Sequence, residues 1–295
     1  MKLAGIEAGG TKFIIVIGDD QGKVLARSQI PTTTTTETMT QVIDFLKKHE
    51  FSALGVACFG PIDPNPHSPT YGYITSTPKT SWRHYDIVGT LTRALPPVPV
   101  FFDTDVNGAA LGEYYWGNGK NINNFIYLTV GTGIGGGVMI DGKLLHGTMH
   151  PELGHILIPQ DLINDPFPGI CPYHGNCLEG LASGPAIKSR WDVESALDLH
   201  ASHPAWDFEA DYLAKAMTNY ILCFSPERII LGGGVMQQQQ LLPLIQAKTK
   251  QLLAGYIENQ TITSIEKTIV LAALGQEAGN MGALALARLA LTTTL

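Results

Sequence analysis

The chain opens on short apolar runs cut by glycine. Leu3-Ala-Gly-Ile6 runs into Glu7-Ala8-Gly9-Gly10-Thr11-Lys12. The strongly apolar Phe13-Ile-Ile-Val-Ile17 leaves that turn and stops at Gly18-Asp19-Asp20. Runs of this kind predict strands, here an antiparallel meander at 3–6, 12–18 and 23–30. The polar run Thr32–Thr36 with Glu37 follows, and Met39, Val42, Ile43 and Leu46 at helical spacing predict a helix over 38–49. Ser52–Phe59 reads as an apolar strand ending at Gly60-Pro61. Residues 62–86 have little periodicity and are rich in Pro, Thr, Tyr and Ser. A loop that long inside a compact domain is more often a binding loop than a spacer. A helix at 86–95, a strand Val98–Asp103 and a small-residue helix over Gly108–Tyr115 complete this half.

The second half repeats the order. Phe125–Val130 is a β-branched and aromatic run, Gly131-Thr-Gly-Ile-Gly-Gly-Gly137 follows, and Val138-Met-Ile140 resumes as a strand before Asp141-Gly142. Then come an irregular region at 143–178, helices at 179–202 and 207–224, and a strand Arg228–Leu231 running into Gly232-Gly233-Gly234. A helix over 240–254, a strand near 268–271 and an Ala-, Gly- and Leu-rich helix over Gly275–Leu291 close the chain. Glycine turns between strands let backbone N–H groups gather into an anion-binding hollow. An ordinary β-hairpin with a glycine-rich turn fits either copy alone. Two copies suggest a duplicated architecture holding a di- or triphosphate from both sides, with Lys12 as cation, Thr129 and Thr132 as hydroxyl donors, and Glu7 as a carboxylate for a metal ion.

Composition narrows the classes. The 295 residues suffice for two domains. Apolar residues make up 44% and charged ones 15%, which predicts a globular chain. A formal charge of −7 argues against nucleic acid. No apolar run approaches the roughly 18 residues of a membrane span, and the opening residues lack a signal-peptide pattern. Four cysteines do not make a disulfide scaffold. A soluble cytoplasmic protein is expected.

Asp105 lies beyond a strand, where open α/β sheets place active sites and an aspartate can take a proton from a substrate hydroxyl. On position alone it reads first as a helix cap, which needs no chemistry. Cys171-Pro-Tyr-His174-Gly-Asn-Cys177, with one distant histidine from the stretch His150-Pro151-Glu152-Leu-Gly-His155, offers four N/S ligands for a closed, structural zinc site. A loop with unrelated Cys and His is the alternative. Cys58 and Cys223 fall in apolar patterns and are expected to be core thiols. Gly232–Met236 either faces a nucleotide base or ribose or is a plain strand–helix turn.

Taken in order, these pieces resemble the ROK family of sugar kinases, within the hexokinase and actin-like ATPase superfamily. Glu7–Lys12 and Gly131–Gly137 look like its two phosphate motifs, Asp105-Val-Asn107 and Ala278-Gly-Asn-Met-Gly-Ala283 like its linking motifs, and Gly232–Val235 like its adenosine motif. Glu152-Leu-Gly-His155 with Cys171–Glu179 resembles its zinc and sugar signature. Phe59–Asp63, Tyr71–Lys79 and Cys177–Pro185 resemble the bacterial fructokinase branch.

The resemblance implies an α/β fold of two ribonuclease H-like domains around a central cleft, 1–115 plus 275–295 and 116–274. It implies transfer of the ATP γ-phosphoryl group to fructose, with Asp105 as general base; the alternatives are a kinase for another hexose (glucose, mannose or N-acetylmannosamine) and a non-catalytic sugar sensor. ATP would lie against Gly9, Gly10, Thr11, Lys12, Thr132, Gly133, Pro185, Gly233, Gly234, Val235, Met236 and Gln237. Sugar would meet Gly60, Pro61, Asn107, Glu152 and Glu179. Zn²⁺ would be held by His155, Cys171, His174 and Cys177, and Mg²⁺ reached by Glu7, through water. A homodimer is implied. Three residues depart from the broad family pattern: Glu7 replaces an aspartate, Thr104 an asparagine that helps bind glucose, and His174 a zinc cysteine. The family's repressors carry an N-terminal helix-turn-helix; this chain begins at the phosphate motif, so none is expected.

Overall fold

The computed structural model describes residues 1–77, 79–257 and 264–293. Pro78 of the Tyr71–Lys79 stretch, and 258–263 of the expected second domain, lie outside the described residues. Contacts divide the chain into two units: Met1–Lys120 with Leu144–His150 and Gln276–Leu295, and Asn121–Lys143 with Pro151–Gly275. Leu144–His150 thus packs with the first unit, although it lies in the stretch expected for the second.

In the first unit the predicted meander forms as β1 (Lys2–Ala8), β2 (Lys12–Asp19) and β3 (Val24–Pro31). Its register sets Ile6 opposite Ile15. Helix α1 (Thr35–Leu46) starts earlier than its apolar periodicity suggests, because Thr34 caps it, accepting from Glu37 N at 3.3 Å. Strand β4 (Leu54–Cys58) joins β1 in parallel. The long loop carries the two-residue strands β5 (Tyr73–Ile74) and β6 (Tyr85–Asp86) before α2 (Ile87–Ala94). Strand β7 (Val100–Thr104) completes a sheet of order β3-β2-β1-β4-β7 and runs directly into α3 (Asp105–Trp116).

One face of this sheet buries Ile6, Ile15, Val56 and Phe102 against Met39, Val42 and Leu46 of α1 and Leu91 of α2. Each such side chain contributes about 1.5–3 kcal/mol. The other face is closed by the C-terminal helix, and there glycine is required. A Cβ on Gly55 would lie 2.0 Å from Ala283 O, and one on Gly282 2.3 Å from the Gly108 carbonyl carbon.

The second unit repeats the strand order. Strands β8 (Phe125–Val130) and β9 (Ile134–Ile140) pair antiparallel, β10 (Lys143–Leu144) lies beside β9, and β11 (Arg228–Gly232) and β12 (Ile269–Leu271) continue in parallel. Gly135–Gly137 are in β9, facing Thr129, Leu128 and Tyr127, so the turn is confined to 131–133. The helix expected over 179–202 is broken. Helix α4 (Leu178–Ala182) ends at Ser183, which caps α5 (Gly184–Trp191), and a one-turn helix, Ala196–Asp198, follows. Pro185 explains the break, since it lacks an N–H and fits only a helix's first turn. Helices α6 (Ala205–Phe224), α7 (Leu241–Leu253) and α8 (Ile265–Thr268) come next, and α9 (Ala278–Ala290) returns to the first unit. Cys58 is buried as expected; Cys223, in the last turn of α6, is exposed rather than a core thiol. No helix among the described residues is long and apolar enough to cross a membrane.

Candidate functional site

The first unit gathers carboxylates at one end of its sheet. Between β1 and β2 the turn Gly9–Thr11 is drawn tight by Gly9 N donating to Lys12 O at 3.0 Å. A Cβ on Gly9 would lie 2.7 Å from that carbonyl oxygen. Thr32 Oγ1 donates to Gly9 O at 2.7 Å from outside the turn. Glu7, at the end of β1, packs against α9, where a Cβ on Gly279 would lie 2.2 Å from its Oε1. Burial, then the charge of Asp105, raises the Glu7 carboxyl to about 7, against the pull of Lys12 and Arg27.

Asp105 is the first residue of α3, and the cap of that helix is Thr104. The Thr104 hydroxyl accepts from Asn107 N at 3.1 Å. The capping alternative for Asp105 therefore belongs to its neighbour. Asp105 Oδ1 accepts from Val106 N at 2.9 Å. Asn107 is fully buried. Its Nδ2 donates to Asp103 Oδ1 at 2.7 Å and its Oδ1 has no partner, so as it stands it offers a sugar no exposed surface. Two residues escaped the sequence reading. Asp103, at the end of β7, is wholly buried, and its Oδ2 lies 2.8 Å from His146 Nε2. Gly60 and Pro61 share a cis peptide bond, and a Cβ on Gly60 would lie 4.0 Å from His150 Nε2.

In the second unit Gly131 N donates to Gly133 O at 2.9 Å, and Gly131 O accepts from Gly184 N at 2.8 Å, so the glycine turn and the start of α5 hold each other. Gly233 has φ 92°, and a Cβ there would lie 2.3 Å from Val130 O; beside Gly234 the space is open. A cavity of about 440 Å³ brings together Thr132, Pro185, Gly234, Val235 and Gln237 of the expected ATP residues. Met236 is buried instead. Lys188 and Glu194, which the sequence reading did not single out, line the same cavity and pair at 2.7 Å.

His155, Cys171, His174 and Cys177 converge. Their ligand atoms lie within 4.8 Å of one another. His155 Nδ1 is 3.8 Å from Cys171 Sγ and 3.5 Å from Cys177 Sγ, and His174 Nδ1 is 3.7 Å from Cys171 Sγ. Tetrahedral bonds of zinc length put N and S ligands about 3.6 Å apart, so the set fits one such ion. Paired bonds between Cys171 and Gly175, at 3.1 and 2.9 Å, shape the loop. Burial raises the Cys177 thiol to about 11; a bound cation displaces that proton. Glu179 Oε1 lies 4.0 Å from His155 Nε2, while its Oε2 accepts from Ile134 N at 2.9 Å, beside the glycine turn. Glu152 is exposed just before the turn Leu153–His155.

Comparison with known proteins agrees over nearly the whole length. The chain is 45% identical to a fructokinase of Pediococcus pentosaceus over 99% of each chain, and 45% identical to one of Zymomonas mobilis over 96% of this chain and 95% of that one. The fold matches the ROK hexokinase from Thermus thermophilus with a TM-score of 0.81 at 26% identity, covering 99% of both chains. It matches a ROK family glucokinase from Streptomyces griseus, solved with glucose and AMPPNP, with a TM-score of 0.76 at 25% identity, covering 98% of this chain and 100% of that one. The fold is thus the α/β, two-domain, actin-like ATPase fold of those kinases. The ROK family profile matches residues 3–290, and the chain belongs to the ROK family.

Proposed function

We propose that the chain is an ATP-dependent fructokinase, which transfers the γ-phosphoryl group to D-fructose and yields fructose 6-phosphate. Relatives of the same length named fructokinase, at 38–45% identity, support the substrate. The observation that carries the mechanism is Asp105, a carboxylate at the mouth of a parallel strand whose helix is capped by another residue. In this reading the two contact units correspond to two ribonuclease H-like domains. The turns Gly9–Lys12 and Gly131–Gly133 orient the phosphates with backbone N–H groups. Thr132, Pro185, Gly234, Val235 and Gln237 seat the nucleoside. Asp105 takes the proton of the sugar hydroxyl as the O–P bond forms, while Glu152, Glu179 and the Gly60-Pro61 wall orient the sugar. Asn107, buried against Asp103, contributes through the helix it braces.

Glu7 and Asp105 press on each other electrostatically, a repulsion that a divalent cation relieves, so the residues fit Mg²⁺. When bound, Mg²⁺ supplies neutralisation of phosphate charge. The four convergent ligands suit zinc in a structural role. The chain works in the cytoplasm as a homodimer, and the exposed apolar side chains of Leu157, Leu162, Ile163 and Tyr173 are surface for a second copy to cover.

The test is turnover with saturating ATP and Mg²⁺ on fructose and on glucose, for wild type and Asp105→Asn. A higher kcat/KM for fructose is expected, since the Thr104 hydroxyl is buried in its cap. Asp105→Asn should lower kcat by about 10²–10⁴-fold with ATP binding nearly intact. Equal use of glucose would overturn the substrate, and near-normal turnover of the variant the mechanism.

A further inference from the structure

The strand that delivers Asp105 is tied at its last turn to a segment far away in sequence. Asp103 Oδ1 accepts from Thr104 N at 2.8 Å and from Asn107 Nδ2 at 2.7 Å, which ties the strand end to the first turn of α3. Asp103 Oδ2 faces His146 Nε2 at 2.8 Å, and Asn107 Nδ2 is itself 3.4 Å from that nitrogen. The carboxylate is 1% exposed, so these partners stand in place of water. His146 comes from the segment Leu144–His150, which leaves the second stretch of sequence to pack on the first unit.

We propose that Asp103 and His146 form a positioning couple that fixes the first turn of α3, and with it the carboxylate of Asp105, and that the couple holds fully when His146 is the imidazolium. The inference rests on the reading of Asp105 as the base. Its physical basis is donor count. Nε2 faces the Asp103 carboxylate, and the ring also hydrogen-bonds the backbone of Leu144. A neutral imidazole has one N–H and satisfies one acceptor, whereas the imidazolium satisfies both.

His146 also lines a cavity of about 340 Å³ with Pro64, Tyr71, Phe101 and Met149, so its ring is reachable by solvent from that side. Among the described residues the groups around it are few. β7 presents Asp103, α3 presents the amide of Asn107, and the loop before β5 presents Tyr71, whose own hydroxyl is raised by burial and by Asp103. Asp103 is the charge that acts on the imidazole. It holds the pKa of His146 above the ordinary value, chiefly through the hydrogen bond, against the opposing pull of burial. The sign follows: the charged couple is complete below that raised pKa, and one anchor is lost as the pH rises through it.

Turnover of fructose at saturating ATP, followed from about pH 6 to about pH 10, tests this in wild type, His146→Gln and Asp105→Asn, alongside NMR titration of the His146 ring in ligand-free wild type and Asp103→Asn. Wild type should show an alkaline limb in kcat with its midpoint at the titrated pKa of His146. His146→Gln should lower kcat by about 10–10²-fold, leave the KM for ATP within about twofold, and flatten that limb. Asp103→Asn should move the His146 pKa down. Wild-type kcat or an unmoved limb in His146→Gln, with Asp105→Asn inactive, overturns the proposal. A His146 pKa unmoved by Asp103→Asn overturns the couple whatever the kinetics, and wild-type turnover in Asp105→Asn overturns the base assignment together with this inference.

Discussion

Glu7 carries a conflict that can be measured. Its carboxyl is raised from about 4.5 to about 7 by burial and by Asp105. The folded chain therefore holds a proton that the unfolded chain has released, and stability falls as pH rises through that window. Below the unfolded pKa both states are protonated and nothing is lost. Above about pH 7 the ionised carboxylate costs up to about 3 kcal/mol in the ligand-free protein. Glu7→Gln should thus raise the melting temperature of the ligand-free protein at pH 8 while impairing turnover, and the gain should vanish near pH 4.5. Equal melting temperatures for the two proteins at both pH values would contradict this account. Glu7 and Asp105 were legible in the sequence because each sits inside a short motif at the end of an apolar run. Asp103 and His146 were not, since a pair 43 residues apart leaves no local pattern. Which residue caps α3 also needed the structure, because Thr104 and Asp105 are both good caps and only the hydrogen bond to Asn107 N tells them apart.

At the scale of elements, glycine sets how close strand and helix come. Gly55 of β4 faces α9 at a distance that leaves no room for a methyl group. Gly55→Ala would have to push back the backbone around Ala283 and Ala287, and should cost about 3 kcal/mol or more. Gly234→Ala meets nothing within 4 Å and should leave the melting temperature unmoved. Urea denaturation of both variants checks the contrast; similar midpoints would mean that α9 yields easily. Glycine also explains where the sequence reading slipped. Gly135–Gly137 looked like turn because glycine is a poor strand former, yet Gly136 lies where a Cβ would come within 2.6 Å of Leu153. The strands themselves were legible from β-branched runs. The expected helix over 179–202 was misread because apolar spacing continues across Ser183-Gly184-Pro185, where a second cap starts a second helix.

At the scale of the whole molecule, the second unit brings together four candidate metal ligands, His155, Cys171, His174 and Cys177. His155 and the Cys171–Cys177 loop bring few apolar side chains of their own, and Leu157, Ile163 and Tyr173 nearby are exposed. An ion held by these four side chains would order this stretch. Protein purified without added metal should contain one zinc per chain. Chelation should lower the melting temperature by roughly 10 °C, reversibly on adding zinc. A metal-free preparation with unchanged melting on chelation would remove the site.

The first unit owns residues from both ends of the chain, and that has a consequence for how the protein is made. While the ribosome works from Lys120 to Gln276, β1 and β4 are already available, but the helix that covers their Gly5 and Gly55 face does not yet exist. At about 5–20 residues per second the wait is roughly ten to thirty seconds. Through that interval the earliest-made sheet is bare on one side, while almost all of the second unit emerges within it. The unit begun earlier is thus the unit completed later, and the nascent first sheet is where a chaperone would be needed.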